Sequence, residues 1–238
     1  MKLRLLGING PFPESGGFTS GYLLETRGCL LQFDLGSGVL GALTAVTSPE
    51  NLDALFISHW HFDHTADVPV LIYRLQALNR KLSVYGPADP DSSMFRLVCD
   101  SSCFSFTKVS SGDNIRLCGT EIRVCHARHP VPAVGFMVSS EEKSFGYTGD
   151  TNTLPSLSAE YRGCSLLLAD GLFPREQWSV EKPHLSAELA ACLAVESGAK
   201  RLIITHLNPL FPRSTLLEEA RSVFPPARLA DAGAVFDL

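Results

Sequence analysis

Short apolar or alternating runs separated by turn residues recur along the chain, at 2–8, 21–26, 29–34, 53–58, 82–86, 120–127, 133–138 and 143–148, and predict β-strands. Patterns with helical spacing fall at 65–79, 185–197 and 214–223. The second closes on Gly198, a residue suited to the left-handed position that ends many helices. After that helix the apolar run Arg201 to Thr205 leads into His206, and in the first half the strand ending at Ser58 leads into His59. Two strands that each deliver a histidine at their C-terminal end predict two sheets converging on one site. No linker, low-complexity tract or repeat interrupts the pattern, so residues 1–238 are expected to form one domain.

Composition narrows the class without naming it. With 45% hydrophobic and 19% charged residues, the chain reads as an ordinary globular protein with none of the bias of a disordered one. No stretch approaches the roughly 20 apolar residues of a membrane span. The apolar start, Met1 to Ile8, stops at Asn9-Gly10-Pro11 without a small-residue cleavage site and reads as a first strand, not a signal peptide. A net charge of −5 without clustered Lys or Arg carries no nucleic-acid signature. The seven cysteines are odd in number and contain no Cys-x-x-Cys pair, which predicts buried, reduced thiols and a cytoplasmic location.

The chemistry is concentrated in Ile57-Ser58-His59-Trp60-His61-Phe62-Asp63-His64, where three imidazoles and a carboxylate follow a buried strand within six residues. Alternation at 59, 61 and 63 on an extended turn would project those side chains to one side, with His64 starting a helix that points back to the same place. Nitrogen and carboxylate donors suit zinc, manganese or iron and exclude a thiolate site. A strand and tight glycine turn, Gly146 to Asp150, present a further carboxylate, while His129 precedes Pro130 and His206 ends its apolar strand. Each of these three is more often structural when read singly. Their order beside the cluster makes them candidate ligands.

The motifs His-x-His-x-Asp-His at 59–64, His-Pro at 129, Gly-Asp-Thr at 149 and Thr-His at 205 resemble the metallo-β-lactamase superfamily. The resemblance implies an α/β fold, a four-layer αββα sandwich with its site at the sheet edge. It implies His59, His61 and His129 as ligands of one divalent ion, Asp63, His64 and His206 as ligands of a second, and Asp150 as the bridge, zinc being the leading metal. Phe33 to Gly38, Tyr85-Gly86-Pro87, the segment from His129 to Phe136, and His184 look closest to the ribonuclease Z and phosphodiesterase branch. The tRNA-gripping arm of ribonuclease Z falls between the positions matching His129 and Asp150, an interval of 21 residues here, enough for two strands and a turn.

The implied mechanism is hydrolysis by water activated between the two ions, with Asp63 and His184 as the catalytic side chains and His184 giving a proton to the leaving group. Two divalent ions against Asp63, Asp150 and one hydroxide leave a net positive charge, which favours a small anionic substrate such as a cyclic or nucleotide-like phosphodiester. Cleavage of precursor tRNA, and hydrolysis of a lactone or thioester, are the alternatives. Homodimers are common among such relatives. The alternative for His184 is a surface residue capping a turn. The glycine-rich segment from Gly10 to Gly21 could line the site and offer N–H groups to a phosphate, though it lacks the Lys-Ser/Thr of a P-loop. His126 is expected to be an ordinary strand residue.

Overall fold

The structure, a computed structural model, describes residues 1–141 and 143–238. Two seven-stranded sheets stack face to face. The first contains β1 (Lys2–Gly7), β2 (Gly21–Thr26), β3 (Cys29–Phe33), β4 (Ala54–Phe56), β5 (Leu82–Gly86) and β6 (Phe104–Lys108). The second contains β7 (Asn114–Leu117), β8 (Thr120–His126), β9 (Val134–Ser140), β10 (Lys143–Tyr147), β11 (Leu166–Asp170), β12 (Leu202–Thr205) and β13 (Arg228–Leu229). The last strand, β14 (Val235–Asp237), returns to the first sheet and pairs antiparallel with β1.

Period-two alternation explains the layers. In β1 and β2, Leu3, Leu5, Tyr22 and Leu24 face the second sheet, while Leu6 and Leu23 belong to a separate core on the outer face. Between the sheets Phe33 stacks on Phe56, with ring centroids 5.2 Å apart, and meets Phe136 and Phe145 of the second sheet at 5.5 and 5.7 Å. Burying each such ring contributes on the order of 2–3 kcal/mol. The outer face of the first sheet is covered by α1 (Val39–Thr44), a single turn α2 (Phe62–Thr65), α3 (Val68–Ala77) and α4 (Ser93–Asp100), through Val39, Leu71, Leu75 and Val98. The second sheet carries α5 (Leu157–Glu160), α6 (Ala187–Ser197) and α7 (Arg213–Val223). The result is the αββα sandwich.

The predicted helix at 65–79 is divided into α2 and α3. Pro69 lacks an N–H and is tolerated only in a first turn, so a new helix begins at Val68. The helix ending at Gly198 forms as expected, with Ser186 as its N-cap and Gly198 at φ 68°. The expectation for the cysteines is corrected in two places. Cys29 and Cys118, at the start of β3 and in the β7–β8 turn, form a disulfide between the two sheets across 89 residues, a pairing that no local spacing announces. Cys99 is exposed, whereas Cys103, Cys125 and Cys164 are buried free thiols. The cysteines therefore give no ground for a reducing compartment. Among the described residues no helix is long and apolar enough to cross a membrane.

Candidate metal centre

The polar cluster lies beyond the C-terminal ends of the parallel strands, where backbone ladders end and side chains can converge. The first sheet brings His59 after β4, the second brings Asp150 after β10, Asp170 at the end of β11 and His206 after β12. His129 comes from the β8–β9 loop. Asp63 departs from the expected extended run: it shares the helical turn of α2 with His64, and the two still meet, Asp63 Oδ2 lying 3.6 Å from His64 Nε2. Gly149 makes the turn before Asp150 at φ 59°, with Val134 O and Ser58 where a Cβ would stand.

Three overlapping groups of donor atoms result, the third joining His184 to His129 and Asp150. His59, His61 and His129 bring their nitrogens within 4.8 Å of one another, and Asp63, His64, Asp150 and His206 do the same. Hydrogen bonds fix which nitrogens face inward. Ser58 Oγ–H donates to Asp34 Oδ2 at 2.8 Å, so the same oxygen accepts from His59 Nδ1 at 3.1 Å and the lone pair of His59 sits on Nε2. His129 Nδ1 donates to Pro183 O at 3.2 Å, and His64 Nδ1 donates to Asp34 Oδ2 at 2.8 Å, which likewise turns their Nε2 lone pairs inward. His59 Nε2 and His129 Nε2 both approach His61 Nδ1, at 3.0 and 3.2 Å, and that one atom cannot donate to both. His206 Nδ1 meets Ser20 Oγ at 3.2 Å, while its Nε2 is buried without a hydrogen-bond partner among the described residues. Asp150 Oδ2 stands 3.5, 3.3 and 3.4 Å from the Nε2 atoms of His59, His64 and His206. Lone pairs and carboxylates gathered in a buried space repel one another unless cations lie between them. This donor set fits metal ions.

Electrostatics agree. Burial lowers the pKa of His59 and His206 well below the imidazole range and that of His129 to about 4, which keeps their rings neutral and able to ligate. Burial also opposes charge on His64, yet Asp150, Asp63 and Asp34 outweigh it and hold its pKa well above normal, a demand for positive charge at Nε2. Burial opposes the Asp150 carboxylate too, and the histidines around it, among them His64 and His184 whose own pKa values are raised, overcome it and hold its pKa well below the usual carboxylate range.

Three residues outside the expected ligand set complete the site. Asp34, fully buried after β3, accepts hydrogen bonds from Ser58 N, Ser58 Oγ, His64 Nδ1 and Tyr147 Oη at 2.7, 2.8, 2.8 and 2.6 Å. It orients His64 from behind. Asp170 accepts from His184 Nδ1 at 2.9 Å and from the backbone N–H groups of Thr151 and Leu172. Ser20 lies between His64 and His206. The alternative of a surface His184 is excluded, because its ring is buried and stacked 4.9 Å from that of His206. Burial disfavours its imidazolium form, but Asp170 and Asp150 raise its pKa to about 9. Its Nδ1 also approaches Asp150 Oδ2 at 3.8 Å. Asp34 and His206 each sit directly after an interior strand in the left-handed region, at φ 53° and 58°.

The glycine-rich segment does border the site. A Cβ on Gly10 would collide with the ring of His206. Of its N–H groups, those of Gly10, Gly17, Thr19 and Ser20 are already taken, by the Leu207, Glu14, Ser37 and Asp63 carbonyls. His126, at the end of β8, is exposed and pairs with Glu160 at 2.7 Å, away from the cluster.

A fold of two facing sheets with these donors at its edge defines a metallo-hydrolase scaffold. The profile of the beta-lactamase superfamily domain matches residues 33–207, and the chain belongs to this superfamily. It is 28% identical to the probable metallo-hydrolase YhfI of Bacillus subtilis over all of both chains. The crystal structure of YhfI superposes with a TM-score of 0.93 over 99% of this chain and 98% of that one. A ribonuclease Z of Methanopyrus kandleri is 26% identical, over 98% of this chain and 96% of its own, and the alignment extends over 271 positions. A diphosphatase of the PhnP family shares the fold at a TM-score of 0.77 and 17% identity, covering 99% of this chain and 96% of its own.

Proposed function

We propose that this metallo-hydrolase holds two divalent ions and hydrolyses a small phosphodiester. His59, His61 and His129 would hold one ion, Asp63, His64 and His206 the other, and Asp150 would touch both. Nitrogen and oxygen donors make zinc the leading metal, with manganese or iron as alternatives. Bound there, the ions would supply Lewis acidity and an activated water.

The observation that carries the diesterase reading is the His184–Asp170 pair beside the donor cluster. Asp170 holds His184 Nδ1–H, and among the described residues no protein group engages Nε2. Protonated at Nε2, His184 can deliver a proton to an alkoxide that would otherwise leave poorly. A thioester places no such demand on the site, because a thiolate leaves without a proton; a lactone releases an alkoxide as well and is distinguished by the substrate panel. The relatives named as a ribonuclease and a diphosphatase both act on phosphorus esters or anhydrides.

The charge around the ions is lower than the candidate ligands alone would make it. Asp34 adds a carboxylate beside the two expected ones, and Asp170 is balanced by His184, so the surroundings of two ions and one hydroxide come out near neutral. Preference for an anion then rests on direct coordination of its oxygens. Against tRNA as substrate stand the net charge of −5 and the interval from His129 to Asp150, which holds β9 and β10. The 271-position alignment with a 238-residue chain also means that the ribonuclease Z carries insertions absent here.

The test is a substrate panel on metal-replete protein. A bis-aryl phosphodiester should turn over faster than a lactone or thioester, with little cleavage of precursor tRNA. Preference for a lactone or thioester by orders of magnitude would overturn the reading, and accurate trimming of precursor tRNA would replace it with the ribonuclease one.

A further inference from the structure

A cleft of about 440 Å³ opens beside His61. Its size suits a single small-molecule moiety. Trp60, Phe62, Pro130 and Val131 form apolar walls, and Asp89 and Ser93 are among its polar lining. Trp60 is a fixed wall: its Nε1–H donates to Pro87 O at 2.7 Å and its ring packs on Phe95. Phe62 is a free one, 68% exposed although it lies between two candidate ligands.

Asp89 is the anomaly. It is only 7% exposed, yet its carboxylate accepts no hydrogen bond from any described residue; only its backbone carbonyl is engaged, by Ser92 N at 3.0 Å. The buried carboxylates of Asp34 and Asp170 are each satisfied by several donors. With no donor among the described residues, this carboxylate depends on what occupies the open cleft that it lines. Beside it, α4 begins at Ser93. Ser92 Oγ caps Phe95 N at 3.3 Å, which leaves the Ser93 hydroxyl and the first N–H groups of the helix as donors. No Lys or Arg lines the cleft among the described residues, and Asp91 adds a second carboxylate, so a further phosphate is disfavoured.

An acceptor next to donors, within a slot walled by aromatic and apolar groups, is the complement of a flat heterocycle whose edge carries an amino donor beside a ring-nitrogen or carbonyl acceptor. We infer that this cleft is a purine subsite, with Phe62 covering the ring face and Asp89 accepting from its exocyclic amine. The inference rests on the diesterase reading only in that the base would be carried on one arm of the diester. Asp89 is then a specificity-determining residue.

Free nucleosides test this without involving phosphate or turnover. Binding to the metal-replete protein is read by saturation-transfer NMR. Adenosine or guanosine should bind about 10- to 100-fold more tightly than purine riboside, which lacks the amino group, as expected for loss of a hydrogen bond to a charged acceptor. Asp89→Ala should collapse that preference. Phe62→Ala, at an exposed side chain, should weaken all purines by a similar factor and keep the preference. Equal binding of purine riboside, a preference that survives Asp89→Ala, or no nucleoside binding at millimolar concentration overturns the subsite. Hydrolysis of a bis-aryl phosphodiester, measured alongside, reports on the diesterase reading alone.

Discussion

Asp34→Asn is the most informative single substitution, because Asp34 touches no candidate ion and yet receives four donors at 2.6–2.8 Å from Ser58, His64 and Tyr147. An amide of the same shape keeps one oxygen acceptor and replaces the other with an NH₂, which then faces the donors gathered at Oδ2: Ser58 Oγ, His64 Nδ1 and Tyr147 Oη. Hydrogen bonds to a charged group contribute about 1.5–3 kcal/mol each, and a buried donor left unpaired costs about 1–3 kcal/mol. Allowing for reorientation of the two hydroxyls, a loss of about 3–5 kcal/mol in unfolding free energy is expected. A second effect is separate from stability. Without the carboxylate His64 is no longer held with its proton on Nδ1, and second-shell losses of this kind typically weaken metal binding or activity about 10- to 100-fold. Urea denaturation of chelator-treated protein measures the first, and metal titration followed by calorimetry measures the second. Destabilisation below 1 kcal/mol together with unchanged metal affinity would refute this account of Asp34.

Asp150→Ala should lose at least one metal ion per chain by elemental analysis, and unchanged content would remove Asp150 from the ligand set. His184→Ala should keep its metal but lose about 10²- to 10⁴-fold in kcat on an alkyl diester, and far less on a nitrophenyl diester, whose leaving group needs no proton. Equal losses on both substrates would reassign His184 to positioning, and loss of metal would make it a ligand. Glu160 links α5 to Arg123 and His126 of β8; burial raises its pKa, but His126 and Arg123 outweigh that and hold the carboxyl below its usual 4.5. Its contribution is therefore present above pH 4.5 and lost as the pH falls through the lowered value, so Glu160→Gln should be less stable by about 1 kcal/mol at pH 7 after solvent screening. In thermal melts that deficit should fade in acid, and a deficit that persists there would point to packing instead.

The elements that place the site were legible where the chain alternates or carries a marked end. The strands before His59 and His206, and the helix closing on Gly198, stand close to the expected positions. β11 was not: Leu166 to Asp170 is buried throughout, and a short apolar run without alternation does not distinguish a central parallel strand from a buried helical segment. Asp170 was hidden with it. The edge strands β6 and β7 expose polar residues on one side and are short, so pairing with their neighbours defines them more than their composition does. The candidate ligands could be read because they crowd into short motifs. Asp34 and Asp170 are single carboxylates whose partners lie far away in sequence; Asp34 fell within the motif from Phe33 to Gly38 without a role, and Asp170 had only its position before Gly171. The Cys29–Cys118 pair shares that difficulty.

The left-handed backbone at His206 has an evolutionary consequence. An L-residue at φ 58° costs about 1 kcal/mol relative to glycine, although histidine is among the side chains that enter this region more readily than most. The histidine also keeps a buried nitrogen without a hydrogen-bond partner among the described residues. Against these costs the fold itself gains the contact of His206 with Ser20 and the packing of its ring on His184, which any replacement would have to make good. A homologue released from the chemistry is therefore free to lose His206 only where a neighbouring change refills the space beside His184 and Ser20, so replacements at this position should come in pairs.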